Sequence, residues 1–171
     1  TRLVAEQNVS GIVTVGYVHG PLTNQVVATQ SAGNVFWALP DHLRSVRDWS
    51  DNGGSSAVHT VFNSFGVVVS STGTVPAPRL GYAGYQYDAA LGQYHVRARS
   101  YDPATGRFLS QDPIRQAAGD ANLYRYVGNR VTGSFDPSGL AEESLVNKVV
   151  SGVKKAVTTV AKGVAKIAKP I

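Results

Sequence analysis

Tyr87-Asp88-Ala89-Ala90-Leu91-Gly92 and Tyr101-Asp102-Pro103-Ala104-Thr105-Gly106 are one phrase written twice, Tyr-Asp-x-x-x-Gly, with the tyrosines fourteen residues apart. Its physical sense is a strand that ends on Tyr, an Asp whose carboxylate accepts backbone N–H bonds in the turn, and a Gly that supplies positive φ. Phe62-Asn63-Ser64-Phe65-Gly66 reads as a degenerate third copy. A chain built from such phrases folds as hairpins.

Upstream of the phrase the same grammar continues. Residues 11–18 alternate β-branched positions and stop at Gly20-Pro21, a strand followed by a turn. Residues 26–28 and 35–39 flank Ser31-Ala32-Gly33-Asn34 as a hairpin. Residues 45–49 and 57–62 flank Asp51-Asn52-Gly53-Gly54, where Asn-Gly tolerates positive φ at both turn positions. A further strand covers 66–70. Strand-turn-strand spacing of this kind predicts a mainly β fold, an antiparallel β-meander of hairpins and not βαβ units. Short helical character is expected at 121–126 and nowhere else before residue 140.

Composition divides the chain in two. Residues 1–140 carry ten Arg, no Lys and nine acids, whereas 141–171 carry six Lys, no Arg, two acids and no aromatic residue. The predicted domains are therefore 1–140 and 141–171. The absence of Cys removes a disulfide framework, thiolate metal sites and a cysteine nucleophile. His19, His42, His59 and His95 show no ligand spacing, so no metal or other cofactor is expected. Neither a nucleophile-elbow GxSxG nor a phosphate-cradling glycine loop occurs. The start at Thr1-Arg2-Leu3-Val4 reads as if cut from the middle of something longer.

Taken in order, several segments carry a resemblance. Asp41-His42-Leu43-Arg44-Ser45-Val46-Arg47 is similar to the DHLGSVR signature of Rhs/YD-repeat proteins. Phe62-Asn63-Ser64-Phe65-Gly66, Tyr94-His95-Val96-Arg97-Ala98-Arg99-Ser100-Tyr101-Asp102-Pro103 and Gly106-Arg107-Phe108-Leu109-Ser110-Gln111-Asp112-Pro113 continue it. Asn122-Leu123-Tyr124-Arg125-Tyr126-Val127-Gly128-Asn129 and Asp136-Pro137-Ser138-Gly139-Leu140 close it. Together they resemble the C-terminal Rhs-repeat-associated core over roughly residues 1–140. The resemblance implies the end of a spiral YD-repeat β-shell that encloses a C-terminal toxin segment. It also implies an intramolecular aspartic protease that cuts after the DPxGL motif, here between Leu140 and Ala141. Asp112 and Asp136 fall on the two acidic positions and Arg99 on the third position tied to the activity. The implied partners are upstream Rhs repeats of the same polypeptide, the chain's own cleaved C-terminal segment and an immunity protein. The implied setting is a bacterial polymorphic toxin, secreted or delivered to a target cell by an export system.

The chemistry suits those residue types. Two carboxylates close together cannot both ionise freely, so one serves as base for water while its partner donates a proton to the carbonyl. A guanidinium beside them would hold a carboxylate or stabilise the oxyanion. The plain readings stand alongside. Asp-Pro most often starts a turn, and Asp102, Asp112 and Asp136 all precede Pro. Asp102 belongs to the repeat phrase and is read as structural; Arg99 or Arg97 could simply neutralise a repeat Asp. The tyrosines from Tyr82 to Tyr126 are read as core packing. Arg44 stands where the signature has Gly, which argues against positive φ in that turn. The rival to a self-cleaving core is a non-catalytic, structural or surface-binding YD-repeat module.

In the tail, Val146, Val149, Val150, Val153, Val157, Val160, Val164 and Ile167 recur at steps of three or four, with Lys148, Lys155, Lys162, Lys166 and Lys169 opposite. This predicts a cationic amphipathic α-helix, capped by Ser144 and stopped by Pro170. Its valines, threonines, Gly152 and Gly163 make it marginal alone in water. Three readings follow: a segment facing an anionic membrane through its valine stripe, a linker to a further toxin domain, or packing inside the shell. Nucleic-acid binding is disfavoured, because no aromatic residue interleaves the lysines.

Overall fold

The computed structural model describes residues 5–75, 77–114, 120–140 and the backbone of 143–144. Seven strands in chain order make one antiparallel sheet: β1 (Ala5–Gln7), β2 (Val13–His19), β3 (Val26–Ser31), β4 (Asn34–Pro40), β5 (Val46–Ser50), β6 (Ser56–Phe62) and β7 (Val68–Gly73). The meander expected from the turn spacing is present throughout. A second sheet holds β8 (Gln86–Asp88), β9 (Gln93–Val96), β10 (Arg99–Asp102) and β11 (Arg107–Phe108), also in sequential antiparallel order. The short strands β12 (Ser134–Phe135) and β13 (Glu143–Ser144) pair with each other.

Asp and Asn organise the loops in two patterns. Asn8, Asp41, Asp51 and Asn63 each accept, on Oδ1, the amides two and four residues ahead. The residue three ahead then turns to positive φ: Gly11, Arg44, Gly54 and Gly66. Asp88 and Asp102 set the longer phrase, in which positive φ falls on Gly92 and Gly106, four residues ahead. The Asn63 segment thus belongs to the first pattern and is not a third copy of the second. In the Asp51 hairpin, Gly54 adopts positive φ while Asn52 and Gly53 do not, because Asp51 takes the Gly53 amide at 2.8 Å. The Ala32-Gly33 turn is the two-residue, doubly positive one (φ 48° and 80°).

Two further expectations change. Residues 121–126 form bends and a turn with a bridge residue at Arg125, and the tight turns at Tyr82–Gly84 and Val127–Asn129 carry left-handed residues and are not helical. Glu143–Ser144 form a strand, so Ser144 pairs with Ser134 in a ladder in place of capping a helix. The helix expected beyond, with its stripe from Val146 to Ile167, lies outside the described residues.

Two apolar cores result. Tyr17, Val26, Phe36, Val46, Trp49, Val58 and Leu80 pack beneath the large sheet. Tyr82, Tyr85, Tyr94, Tyr101, Phe108, Tyr126 and Phe135 fill the second, which Leu43 and Phe62 of the first sheet region also enter. Tyr82, Tyr101 and Tyr94 give their hydroxyl protons to the consecutive carbonyls of Ser64, Phe65 and Gly66, at 3.0, 2.8 and 2.8 Å. These bonds anchor the Asn63 loop on the second core.

Arg44 does adopt the left-handed conformation, at φ 68°. Its guanidinium donates to the Thr23 carbonyl and lies 5.0 Å over the Phe135 ring, which offsets the strain. Arg44→Ala loses those contacts and keeps the strained φ, whereas Arg44→Gly loses the contacts alone. Urea denaturation is expected to show Arg44→Gly more stable than Arg44→Ala by about 1 kcal/mol, against the usual order for these residues.

Candidate functional site

All three Asp-Pro pairs share one local bond. Proline offers no N–H, so the Asp carboxylate takes the next amide: Asp102 that of Ala104 at 2.9 Å, Asp112 that of Ile114 at 3.0 Å, Asp136 that of Ser138 at 3.0 Å. Burial then separates them. Asp102 is partly exposed, and its carboxyl is held below the usual carboxylate range, first by the Thr105 hydroxyl. Asp112 and Asp136 are 7% and 3% exposed, and both face Arg99.

Arg99 opens β10 and is itself 6% exposed. Its Nη2 is 3.1 Å from Asp112 Oδ2 and 3.5 Å from Asp136 Oδ2. The two carboxylates therefore converge on a single nitrogen. Nη1 donates to the Leu123 carbonyl at 3.3 Å and Nε donates to the Gly139 carbonyl. The guanidinium carbon rests 3.6 Å from the centre of the Phe108 ring. Burial draws the guanidinium below the ordinary arginine range, and the two carboxylates pull it back.

Asp136 is also the hub of the Asp136-Pro137-Ser138-Gly139-Leu140 turn. Its Oδ1 accepts the amides of Ser138, Gly139 (2.8 Å) and Leu140 (3.3 Å) and the Ser138 hydroxyl (3.1 Å). Ser138 Oγ accepts the Leu140 amide as well, at 3.1 Å. Gly139 sits at φ 75° against the Val96 carbonyl, where a Cβ would come within 2.3 Å of that oxygen. The turn is thereby pressed onto the β9–β10 connection, where Ala98 N–H donates to the Ser138 carbonyl at 3.2 Å.

Of the residues singled out in the sequence, Arg99, Asp112, Asp136 and Leu140 come together. Ala141 lies outside the described residues. Arg97 points elsewhere, with its Nη2 on Asn24 Oδ1 at 3.2 Å. Sequence reasoning missed Tyr85, whose hydroxyl touches Asp136, and Phe108 beneath Arg99. A buried Phe one phrase after the repeat Tyr carries no signal of its own. Among the described residues, no group of three or more His, Asp or Glu side chains is gathered as a metal site would require.

Arg99→Met keeps the stem over Phe108 and removes the charge that two buried carboxylates share. We expect a loss of roughly 3–5 kcal/mol, read by chemical denaturation, because the acids are left uncompensated.

The teneurin YD-shell family model matches residues 16–131. Salivary gland surface protein 1 of Aedes aegypti is 30% identical over 139 residues, 80% of this chain and 4% of its own length. The tRNA3(Ser)-specific nuclease WapA of Bacillus spizizenii is 31% identical over 143 residues, 81% of this chain and 6% of its own. Toxin protein Tse5 of Pseudomonas aeruginosa is 31% identical over 120 residues, 70% of this chain and 9% of its own. The crystal structure of TcdB2-TccC3-Cdc42 superposes with a TM-score of 0.67 at 21% identity, covering 78% of this chain and 7% of that one. The chain thus spans less than a tenth of the length of each of these proteins. With its meander, its tyrosine core and a family match over most of its length, the chain belongs to the teneurin YD-shell family of Rhs/YD-repeat proteins.

Proposed function

We propose that this chain is the closing end of a YD-repeat shell in a toxin-type protein, and that it cuts its own backbone between Leu140 and Ala141. The observation that carries this reading is the convergence of two Asp-Pro carboxylates on one buried guanidinium beside the turn that ends at Leu140. One cation against two ionised carboxylates leaves one negative charge in excess; a single proton held by the pair makes the cluster neutral. That is the state aspartic chemistry uses. The ionised acid takes a proton from water, whose oxygen adds to the Leu140 carbonyl. The protonated acid donates to the carbonyl oxygen; the tetrahedral diol then breaks its C–N bond as the acid that took the water's proton passes it to the Ala141 nitrogen and its partner recovers one hydroxyl proton, leaving the Leu140 carboxyl group and a free Ala141 amine. Asp136 and Ser138 hold the Leu140 amide, and Arg99 holds both acids and the Gly139 carbonyl. This orientation converts the reaction into an intramolecular one.

In this reading residues 1–140 are shell end and protease, and 141–171 are the released segment. The named toxin and nuclease relatives support a toxin setting, with upstream repeats, export to a target cell and an immunity protein as the accompanying parts. The second reading is a purely structural module, in which Arg99, Asp112 and Asp136 are a clasp. The pairing of β12 with β13 favours it, since it joins the backbone on either side of Leu140.

Intact mass under denaturing conditions separates the two, because the pieces can stay paired through β13 after a cut. We expect fragments that end at Leu140 and begin at Ala141, and an uncut chain for Asp112→Asn and for Asp136→Asn, since an amide cannot share the proton. Cleavage that persists in both variants sinks the assignment.

For the tail, the reading we favour is a surface-active segment. Five lysines opposite a valine stripe attract anionic headgroups by about 1 kcal/mol each near the surface. A synthetic 141–171 peptide is expected to be largely unstructured in buffer and to gain helical circular dichroism on anionic vesicles, less so as salt rises. Val153→Asp with Val160→Asp should abolish the change. A peptide that stays unstructured on such vesicles at low salt leaves the linker reading in its place.

A further inference from the structure

Tyr85 stands between the second core and the acidic site, and nothing in the reaction as described uses it. It is 2% exposed, and its hydroxyl meets the backbone of Asp136 twice. It donates to the Asp136 carbonyl at 2.7 Å and accepts the Asp136 amide at 3.0 Å. A phenol has one hydrogen, and the short bond to the carbonyl takes it. Tyr126 Oη, 3.0 Å away and fully buried, must then supply its own hydrogen to Tyr85. The Tyr85 oxygen is thus saturated: one proton given, two received. Burial pushes the Tyr85 phenol well above its ordinary range, which favours keeping the donated proton.

The consequence concerns direction. Asp136 uses one carboxylate oxygen to hold its own turn and turns the other to Arg99. Where that second oxygen points depends on the orientation of the Asp136 peptide groups. Two bonds from a rigid aromatic ring, one on each side of the residue, set that orientation. Tyr85 itself is locked among Tyr82 and Tyr94, with ring centres 6.1 and 6.3 Å away. We propose that Tyr85, relayed by Tyr126, is a positioning residue for Asp136, holding its backbone so that its carboxylate meets Asp112 and Arg99 in the geometry self-cleavage requires.

This rests on the self-cleavage reading, and the test keeps the two apart. The time course of the Leu140–Ala141 cut is followed by intact mass in the 171-residue chain and in three single variants. Tyr85→Phe keeps the ring and removes the hydroxyl; by misdirecting Asp136 it is expected to slow the cut by about 100-fold. Tyr126→Phe removes only the relayed hydrogen and should slow it less. Tyr94→Phe is the control, since its hydroxyl serves the Gly66 carbonyl and not the acidic site. It also leaves a buried carbonyl unpartnered, yet should cut at the unaltered rate. Melting temperatures accompany each rate. Tyr85→Phe cutting as fast as the unaltered chain overturns the positioning role while the protease reading survives. Tyr94→Phe slowing the cut as much as Tyr85→Phe does also overturns it, because the effect then follows core stability. No cut in the unaltered chain overturns the protease reading, and the positioning role falls with it.

Discussion

Burying a guanidinium is costly unless every face of it is compensated, and the second half of this chain is arranged around that requirement at Arg99. Carboxylates from Asp112 and Asp136 face its Nη2, carbonyls of Leu123 and Gly139 accept one hydrogen each from Nη1 and Nε, and the Phe108 ring covers one face. These groups lie on β10, β11, the two Asp-Pro turns and the bend at 122–125, stretches far apart in the chain. A single cation thus ties the second sheet to the segment that ends at Leu140. A hydrocarbon in its place would satisfy none of these partners, and a lysine has too few fixed donors to span them.

The tyrosines perform a related service for the backbone. Sharp loops leave carbonyls without ladder partners, and buried carbonyls need donors. Tyr82, Tyr94 and Tyr101 supply three in a row at Ser64, Gly66 and Phe65, and Tyr85 supplies one at Asp136. The rings build the core while the hydroxyls pin loops from other parts of the chain to it. The Asp41 loop docks on the closing segment by polar contacts as well: His42 Nε2 lies 3.0 Å from the Thr132 carbonyl and Arg44 covers Phe135. The closing segment is therefore gripped from both sheets.

Much of this was legible locally. The Tyr-Asp-x-x-x-Gly phrase, the Asn and Asp loop heads and the alternation of 11–18 declare hairpins, because side-chain-to-backbone bonds within five residues need no tertiary partner. At the Asp51 hairpin reading failed for a local reason, the carboxylate taking the Gly53 amide; elsewhere a distant contact had overridden the local rule. Arg44 holds positive φ through Thr23 and Phe135, some twenty and ninety residues away in the chain. The turn at 121–126 stays non-helical while its backbone serves the second sheet, Tyr124 and Leu123 carbonyls accepting the amides of Phe108 and Asp112. Ser144 joins a two-stranded ladder with β12.

The sequence by itself determined the antiparallel meander, the change of composition near Leu140 and the three acids ahead of prolines, because each is a property of neighbouring residues. It set Asp102 apart only by its place in the repeat phrase, since all three carboxylates take the amide two residues ahead. Only the tertiary structure gave the difference a physical form, by burying two of them against Arg99 and leaving the third near solvent. Nor could any local pattern link Tyr85 to Asp136 across fifty-one residues. That contact exists because two sheets pack, and packing is decided by the whole chain at once.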